Sequence, residues 1–173
     1  YLGKVARACA SMQKRLDFMR SYQMVGEVKP HWMSLGEVLE RVHERVSVDG
    51  IRIAISTAGV RVYADGLFER ALEALVVNVP DLDPKGDTVA VRFSEVGDKG
   101  LLSVEHRGKG VPENFKGRIF ECGYQYGRSD GFDLFLASEI LRSTGITVRE
   151  TGVPGKCTRF EVCVPHGKYS MPE

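Results

Sequence analysis

The apolar residues of this chain change their period along its length, and that change constrains the fold more than any other feature. Leu2, Val5, Cys9, Met12, Leu16 and Met19 recur at alternating spacings of three and four. This is the seam of a helix that meets another helix at a shallow angle. No Gly or Pro interrupts residues 4–25, so one long helix is expected there. The seam fits a helix lying on its own domain and fits equally a stalk that pairs with a second chain. Gly26 and Pro30 close it. Ser34 followed by Glu37 reads as a capping box, and Leu35, Val38, Leu39, Val42 and Val46 give a second helix one apolar face. The period then falls to two. Ile51, Ile53 and Ile55 alternate, as do Val60, Val62 and Ala64, with Ala58-Gly59 between them, which predicts a hairpin. Asp65 is placed to cap a third helix running through Leu67, Ala71, Leu72 and Leu75 to Asn78, with Pro80 ending it.

Val89, Val91 and Phe93, a turn at Asp98-Lys99-Gly100, and Leu102 and Val104 predict a second hairpin. Residues 106–131 are rich in glycine, polar and basic side chains, with a short helical piece at 115–121. Phe132, Phe135, Leu136 and Ile140 mark a fourth helix. Ile146 to Glu150, a turn at Gly152-Val153-Pro154-Gly155, and Phe160, Val162 and Val164 form a last hairpin. One-sided helices and half-buried strands hide their apolar faces most simply in an α+β, two-layer sandwich. It has a mixed, largely antiparallel sheet with helices on one face, preceded by an N-terminal helix.

Composition narrows the function classes. At 173 residues and 43% hydrophobic, the chain suits about one domain with a packed core. Twenty-four Lys and Arg against 23 Asp and Glu leave a net charge of +1. That balance argues against a nucleic-acid binder, despite Arg107, Lys109, Lys116, Arg118 and Arg128. No apolar run approaches the ~18 residues of a membrane span, and Arg7, Lys14 and Arg15 break any signal-peptide pattern. Cys9, Cys122, Cys157 and Cys163 form no C-x-x-C pair, which disfavours structural zinc and makes a reducing, cytoplasmic setting the expectation. A chain that starts at Tyr1 is expected to belong to a longer protein.

Two glycine-rich stretches carry the chemistry. Glu105-His106-Arg107-Gly108-Lys109-Gly110-Val111-Pro112 follows a strand, and Ser129-Asp130-Gly131-Phe132-Asp133-Leu134-Phe135 opens a helix. Glycine admits close backbone approach, and a helix start offers free N–H groups to a phosphate. Each stretch alone also fits ordinary turn chemistry. In order, a helix ending in Asn, a strand with its glycine box, a lid and a second glycine box opening a helix resemble the catalytic ATP-binding domain of sensor histidine kinases. That domain shares its fold with gyrase-type and chaperone-type ATPases. The resemblance covers residues 35–165 and is strongest in "GVPENFKGRIFECGYQYG" and "GFDLFLASEILRSTGITVRETGVPGKCTRFEVCVP". "RLDFMRSYQMVG" resembles the second helix of the dimerisation and phosphotransfer domain of the same family.

The resemblance implies ATP and Mg²⁺ as ligands and a two-component system as the setting. The γ-phosphoryl would pass to a histidine on a separate helix, since none of His31, His43, His106 and His166 lies in a phosphoacceptor context. It implies a response regulator, upstream dimerisation and sensor domains and a homodimer as partners, with no nucleic acid and no membrane contact. It divides the chain into a dimerisation-helix portion (1–26), a linker (27–34), a catalytic domain (35–168) and a tail (169–173). Asn78 takes the place of the magnesium-holding asparagine. Gly108 and Gly110 match the first glycine box, Phe120 the lid aromatic, and Gly131 and Leu134 the second box. Thr158 matches a threonine at the adenine side, and Arg118 and Arg128 are lid arginines facing phosphate. Four positions depart from the family pattern. His106 replaces an aspartate that accepts the adenine amino proton. Asp133 and Cys157 replace glycines, and Ala74 replaces an asparagine. Ala74 also stands where gyrase-like hydrolases carry a glutamate base, while its neighbour Glu73, ~100° round the helix, is expected to face elsewhere. The departures support an alternative reading, a nucleotide-free module of the same fold acting as a signalling relay or docking domain.

Overall fold

The computed structural model describes residues 2–47, 50–57, 59–82, 88–127 and 130–172. Four helices, α1 (Leu2–Met24), α2 (Leu35–Val46), α3 (Phe68–Leu82) and α4 (Asp133–Arg142), alternate with eight strands. The strands are β1 (His31–Ser34), β2 (Arg52–Ser56), β3 (Arg61–Ala64), β4 (Thr88–Val96), β5 (Lys99–Arg107), β6 (Thr147–Glu150), β7 (Cys157–Val164) and β8 (Tyr169–Ser170). The main sheet has the order β2-β4-β5-β7-β6, parallel between β2 and β4 and antiparallel elsewhere. Helices α2, α3 and α4 pack on it, so the expected α+β sandwich with its leading helix is the observed architecture.

The buried face of the sheet is a set of cross-strand rows. Val91 pairs with Val104, Val104 with Phe160 and Leu102 with Val162, and all are buried. Such pairs are the units by which a sheet is stabilised. Apolar alternation decides which face is buried, not which edge is paired, and one expectation fails for that reason. Residues 51–64 do not form a hairpin. β2 pairs in parallel with β4, while β3 joins β1 and β8 in a separate three-stranded sheet. That small sheet recruits the stretch 27–34, expected as linker, through β1, and the expected tail through β8. Helix α3 also runs past Pro80 to Leu82. A proline loses its own N–H bond and crowds the carbonyl four residues back, a cost confined here to the last turn of the helix.

Helix α1 settles which of its faces meets the domain. Val5, Met12, Leu16 and Met19 of the seam are 57%, 65%, 55% and 51% exposed. The contact with the domain is aromatic instead. Phe18 lies 4.9 Å from Phe132 and 6.2 Å from Phe135, and Tyr22 stacks 5.8 Å from Phe135. The seam therefore has no partner among the described residues.

Asp65 joins these parts. It is 1% exposed. One oxygen, Oδ1, accepts the Leu67 N–H (2.8 Å) at the start of α3. The other, Oδ2, accepts the Gly26 N–H (3.0 Å) behind α1 and the Ser143 hydroxyl (3.0 Å) behind α4. Asp65→Ala leaves the Gly26 and Leu67 N–H groups without their acceptor, while the Ser143 hydroxyl keeps the Ile140 carbonyl at 2.7 Å, and is expected to cost about 2–4 kcal/mol. Ser143→Ala, which removes one donor, is expected to cost about 1 kcal/mol. Urea unfolding of the two variants checks the order.

Candidate functional site

Helices α3 and α4 enclose a cleft of about 310 Å³, lined on α3 by Arg70, Glu73, Ala74 and Val77 and on α4 by Asp133 and Leu136 among others. Asn78 stands one turn beyond Ala74. It is 3% exposed, is not among the lining residues, and its Nδ2 donates to the Ala74 carbonyl at 2.8 Å. With the nitrogen so held, the amide offers its oxygen as the remaining polar atom. Glu73 does not turn away as expected. It borders the cleft, because Arg70, Glu73, Ala74 and Val77 recur at i, i+3, i+4 and i+7 and share one broad face of α3, and its Oε2 accepts from Arg45 Nε at 2.9 Å. That ion pair engages the carboxylate that would otherwise be the nearest base.

Acidic groups dominate the α4 end of the cleft. A neighbouring hollow of about 160 Å³ is bounded by Lys14, Asp17, Phe18, Arg70, Asp130, Phe132 and Asp133. Around the two spaces, Asp17, Glu73, Asp130 and Asp133 outnumber Lys14 and Arg70. Partial withdrawal from water, and then the nearby Asp130 charge, raise the Asp133 carboxyl above the ordinary aspartate value. Asp130 Oδ1 accepts the Phe132 N–H at 3.1 Å. The start of α4, where a free anion would be favoured, therefore already holds one of its own.

The far end of the sheet presents a different surface. His106 and Thr158 are register partners across β5 and β7, 1% and 0% exposed, and continue the buried rows of Val104 and Phe160. Both imidazole nitrogens of His106 and the hydroxyl of Thr158 lack any hydrogen-bond partner among the described residues. Buried polar atoms without partners cost about 1–3 kcal/mol each and call for an explanation. Leu134 is fully buried and Phe120 packs edge-on against Phe160 at 5.8 Å, so both side chains belong to the core.

Between these ends the glycine boxes fold against protein. Gly108 N–H donates to the Lys156 carbonyl at 3.0 Å and Gly155 N–H to the Lys109 carbonyl. Gly110 has φ +68°, and a Cβ there would lie 2.7 Å from both the Cys157 and Val153 carbonyl oxygens. Gly131, at φ +81°, would place a Cβ 2.5 Å from Tyr124 N. Backbone contact within the lid and with the β6–β7 turn thus requires glycine at both positions. Arg118 lies over the Tyr124 ring at 4.2 Å. Arg128 falls outside the described residues.

A latch that sequence reasoning missed holds the lid down. Lys116 Nζ donates to the Gly152 carbonyl at 2.7 Å and pairs with Glu113 at 2.7 Å and Glu150 at 3.5 Å. The Glu150 side chain is fully buried, and its Oε1 accepts the N–H groups of Gly152 (2.9 Å) and Arg159 (3.1 Å). Lys116 and Glu150 lie too far apart in sequence for any local pattern to join them. Among the described residues no group of three His, Cys, Asp or Glu side chains is arranged to hold a metal, and no helix is long and apolar enough to cross a membrane.

Residues 64–168 match the family model described as "Histidine kinase-, DNA gyrase B-, and HSP90-like ATPase". The alginate biosynthesis sensor protein KinB of Pseudomonas aeruginosa is 32% identical over 100 residues, 56% of this chain but 17% of that protein. The chain thus spans about a sixth of that relative's length. Among solved structures, full-length ShkA in complex with AMPPNP has a TM-score of 0.78 at 21% identity, covering 99% of this chain and 39% of that one. The mycobacterial sensor histidine kinase MprB has a TM-score of 0.69 at 20% identity, covering 79% and 97%.

Lys116→Met is expected to free the lid, costing about 1–3 kcal/mol of local stability because Glu150 loses its cation. The readout is faster proteolytic cleavage within residues 112–127, with the sheet protected as before. The hydrogen bond to Glu113 and the charge of Glu150 raise the Lys116 ammonium above the ordinary lysine value, against burial. A raised lysine stabilises fully below its unfolded value. The protection should therefore persist to about pH 10 and disappear only as the ammonium deprotonates above it.

Proposed function

The chain belongs to the histidine kinase-, DNA gyrase B- and HSP90-like ATPase family, and from that membership we propose that residues 35–168 are the ATP-binding catalytic domain of a sensor histidine kinase. Residues 1–26 would then be part of its dimerisation helix. The exposed seam of α1 supports pairing with a second copy, and the setting would be a two-component system with a response regulator downstream. The observation that carries the reading is the buried pair His106 and Thr158. Three interior polar atoms there have no hydrogen-bond partner among the described residues, a capacity that a base could meet once the lid over it moves. The base would lie against this pair beneath Gly108 and Gly110, with the phosphates towards the start of α4 near Gly131.

Mg²⁺ would take the Asn78 carbonyl oxygen. The donor chemistry fits, since the Ala74 carbonyl holds Nδ2 and leaves an oxygen, the donor this hard cation requires. The amide is buried and outside the cleft lining, so the ion would reach it only if the α3 end opened. When bound, the ion neutralises phosphate charge. The chain's own contribution is positioning and exclusion of water. The Lys116 latch holds the lid to the β6–β7 turn, and where a hydrolase would carry its base stands Ala74, which has no titratable group, beside a Glu73 paired with Arg45. This suits transfer to an incoming imidazole better than direct hydrolysis. Helix α1 carries no histidine, so the acceptor would come from another helix.

A second reading, a nucleotide-free relay, is favoured by one observation: carboxylates outnumber cations where the phosphates would lie. Titration calorimetry separates the two. The chain is expected to bind ATP–Mg²⁺ at millimolar or lower nucleotide, and Asp133→Gly to bind about tenfold tighter. A like charge at ~5 Å in a medium of dielectric ~20 costs ~3 kcal/mol before salt screening reduces it. The raised Asp133 carboxyl discharges as pH falls, so the gap between the two chains should narrow towards acid pH. Absence of heat with both chains at millimolar ATP defeats the catalytic reading and leaves the relay.

A further inference from the structure

Helices α2, α3 and α4 pack on one face of the main sheet, and among the described residues no helix covers the other. An antiparallel sheet commonly leaves one face to water, and charges of both signs then mix on it. Here the signs are unequal. Arg52, Arg92, Arg107, Arg149 and Arg159 face outward against two carboxylates, Glu105 and Glu161. The whole chain carries a net charge of only +1, so this face is the basic side of a nearly neutral molecule. Glu105 is already engaged, since its Oε2 accepts from Arg159 Nε at 2.6 Å. The guanidinium groups of Arg92, Arg107 and Arg149 are exposed and have no partner among the described residues.

The strand register sets where these charges stand. Arg92, Ser103, Glu161 and Arg149 form one row across four strands. Ala54, Ala90, Glu105 and Arg159 form the next. Arg52 and Arg107 lie beyond it, two positions further along their strands. At ~3.4 Å per residue, the two arginine rims are about 13 Å apart. The row between them is low, because Ala54 and Ala90 are short and Glu105 and Arg159 fold onto each other. A trough of that width admits an α-helix, about 10–12 Å across with its side chains. No aromatic residue stands on this face, so single-stranded nucleic acid finds nothing to stack on. Three unpaired arginines without an apolar anchor are too few to hold a protein on an anionic membrane. Protein carboxylates, in contrast, meet each guanidinium in a bidentate pair. We propose that the outer face of the main sheet docks a helix of a partner protein. The helix would set a stripe of small residues on Ala54 and Ala90 and carry glutamate or aspartate along both flanks.

The test is titration of the chain with a helical peptide of about 20 residues, long enough to cross the sheet. It carries an alanine stripe flanked by glutamates, and a second peptide carries glutamines in their place. The glutamate peptide is expected to bind at least tenfold tighter, and to weaken as salt rises. Arg92→Ser and Arg149→Ser should each weaken it about tenfold, the scale of one charge-assisted contact, with the circular dichroism unchanged. Neither residue borders the cleft, so the response of the two variants to ATP should match that of the chain. Equal affinity for the two peptides, or no loss in the variants, overturns the proposal. Tighter binding of single-stranded oligothymidylate, or of vesicles with roughly 30% phosphatidylserine, overturns it in favour of a general polyanion surface. Absence of binding by the glutamate peptide at millimolar concentration overturns it as well.

Discussion

One buried carboxylate holds the working parts of this molecule in register. Asp65 receives hydrogen bonds from the end of the α1 segment, the start of α3 and the residue after α4. The cleft lies between α3 and α4, so the carboxylate that fixes one end of each helix also fixes the width of the cleft. A charge withdrawn this far from water is tolerated only because three donors surround it. The same knot ties α1 to the domain independently of its seam. The aromatic contacts of Phe18 and Tyr22 with Phe132 and Phe135 then extend that attachment to the mouth of the second glycine box. Helix α1 is in this way attached to the residues that open α4, one wall of the cleft.

Shape and charge together characterise the cleft. In shape it is a groove between two helices that opens at the start of α4, with the glycine boxes and the buried His106 and Thr158 outside its lining. Its charge is acidic at that end, because Asp130 and Asp133 stand where a glycine-rich helix start would offer bare N–H groups. Burial, and then the charge of Asp130, lift the Asp133 carboxyl above the ordinary aspartate value. The glycines, meanwhile, are required by the protein's own packing. Gly110 abuts carbonyl oxygens of the β6–β7 turn and Gly131 abuts the lid backbone. Their presence alone therefore says less about a ligand than the orphaned atoms of His106 and Thr158.

The seam of α1 illustrates how far a periodic pattern carries. Spacings of three and four predicted a helix with an apolar stripe, and the helix is there over Leu2–Met24. The pattern left open what the stripe meets. Among the described residues the stripe stays largely exposed, while the domain is gripped by Phe18 and Tyr22, which lie off the seam. The hairpin expected over 51–64 failed similarly. Alternation reported the buried side chains of β2 and β3 correctly, yet β2 found β4 and β3 found β1 and β8.

What the sequence by itself determined is therefore local and periodic. It specified the helices, the apolar faces, the β4–β5 and β6–β7 hairpins, the Ser34 and Asp65 caps, and the order of motifs that marked the family. These depend on residues a few positions apart, whose geometry the backbone dictates. Tertiary structure alone decided the parallel partner of β2, the second sheet and the latch of Lys116 on Glu150. It also decided the pairing of Glu73 with Arg45 and the burial of His106 opposite Thr158. Each joins residues far apart in the chain, and nothing in local spacing encodes which distant donor a buried acceptor will meet.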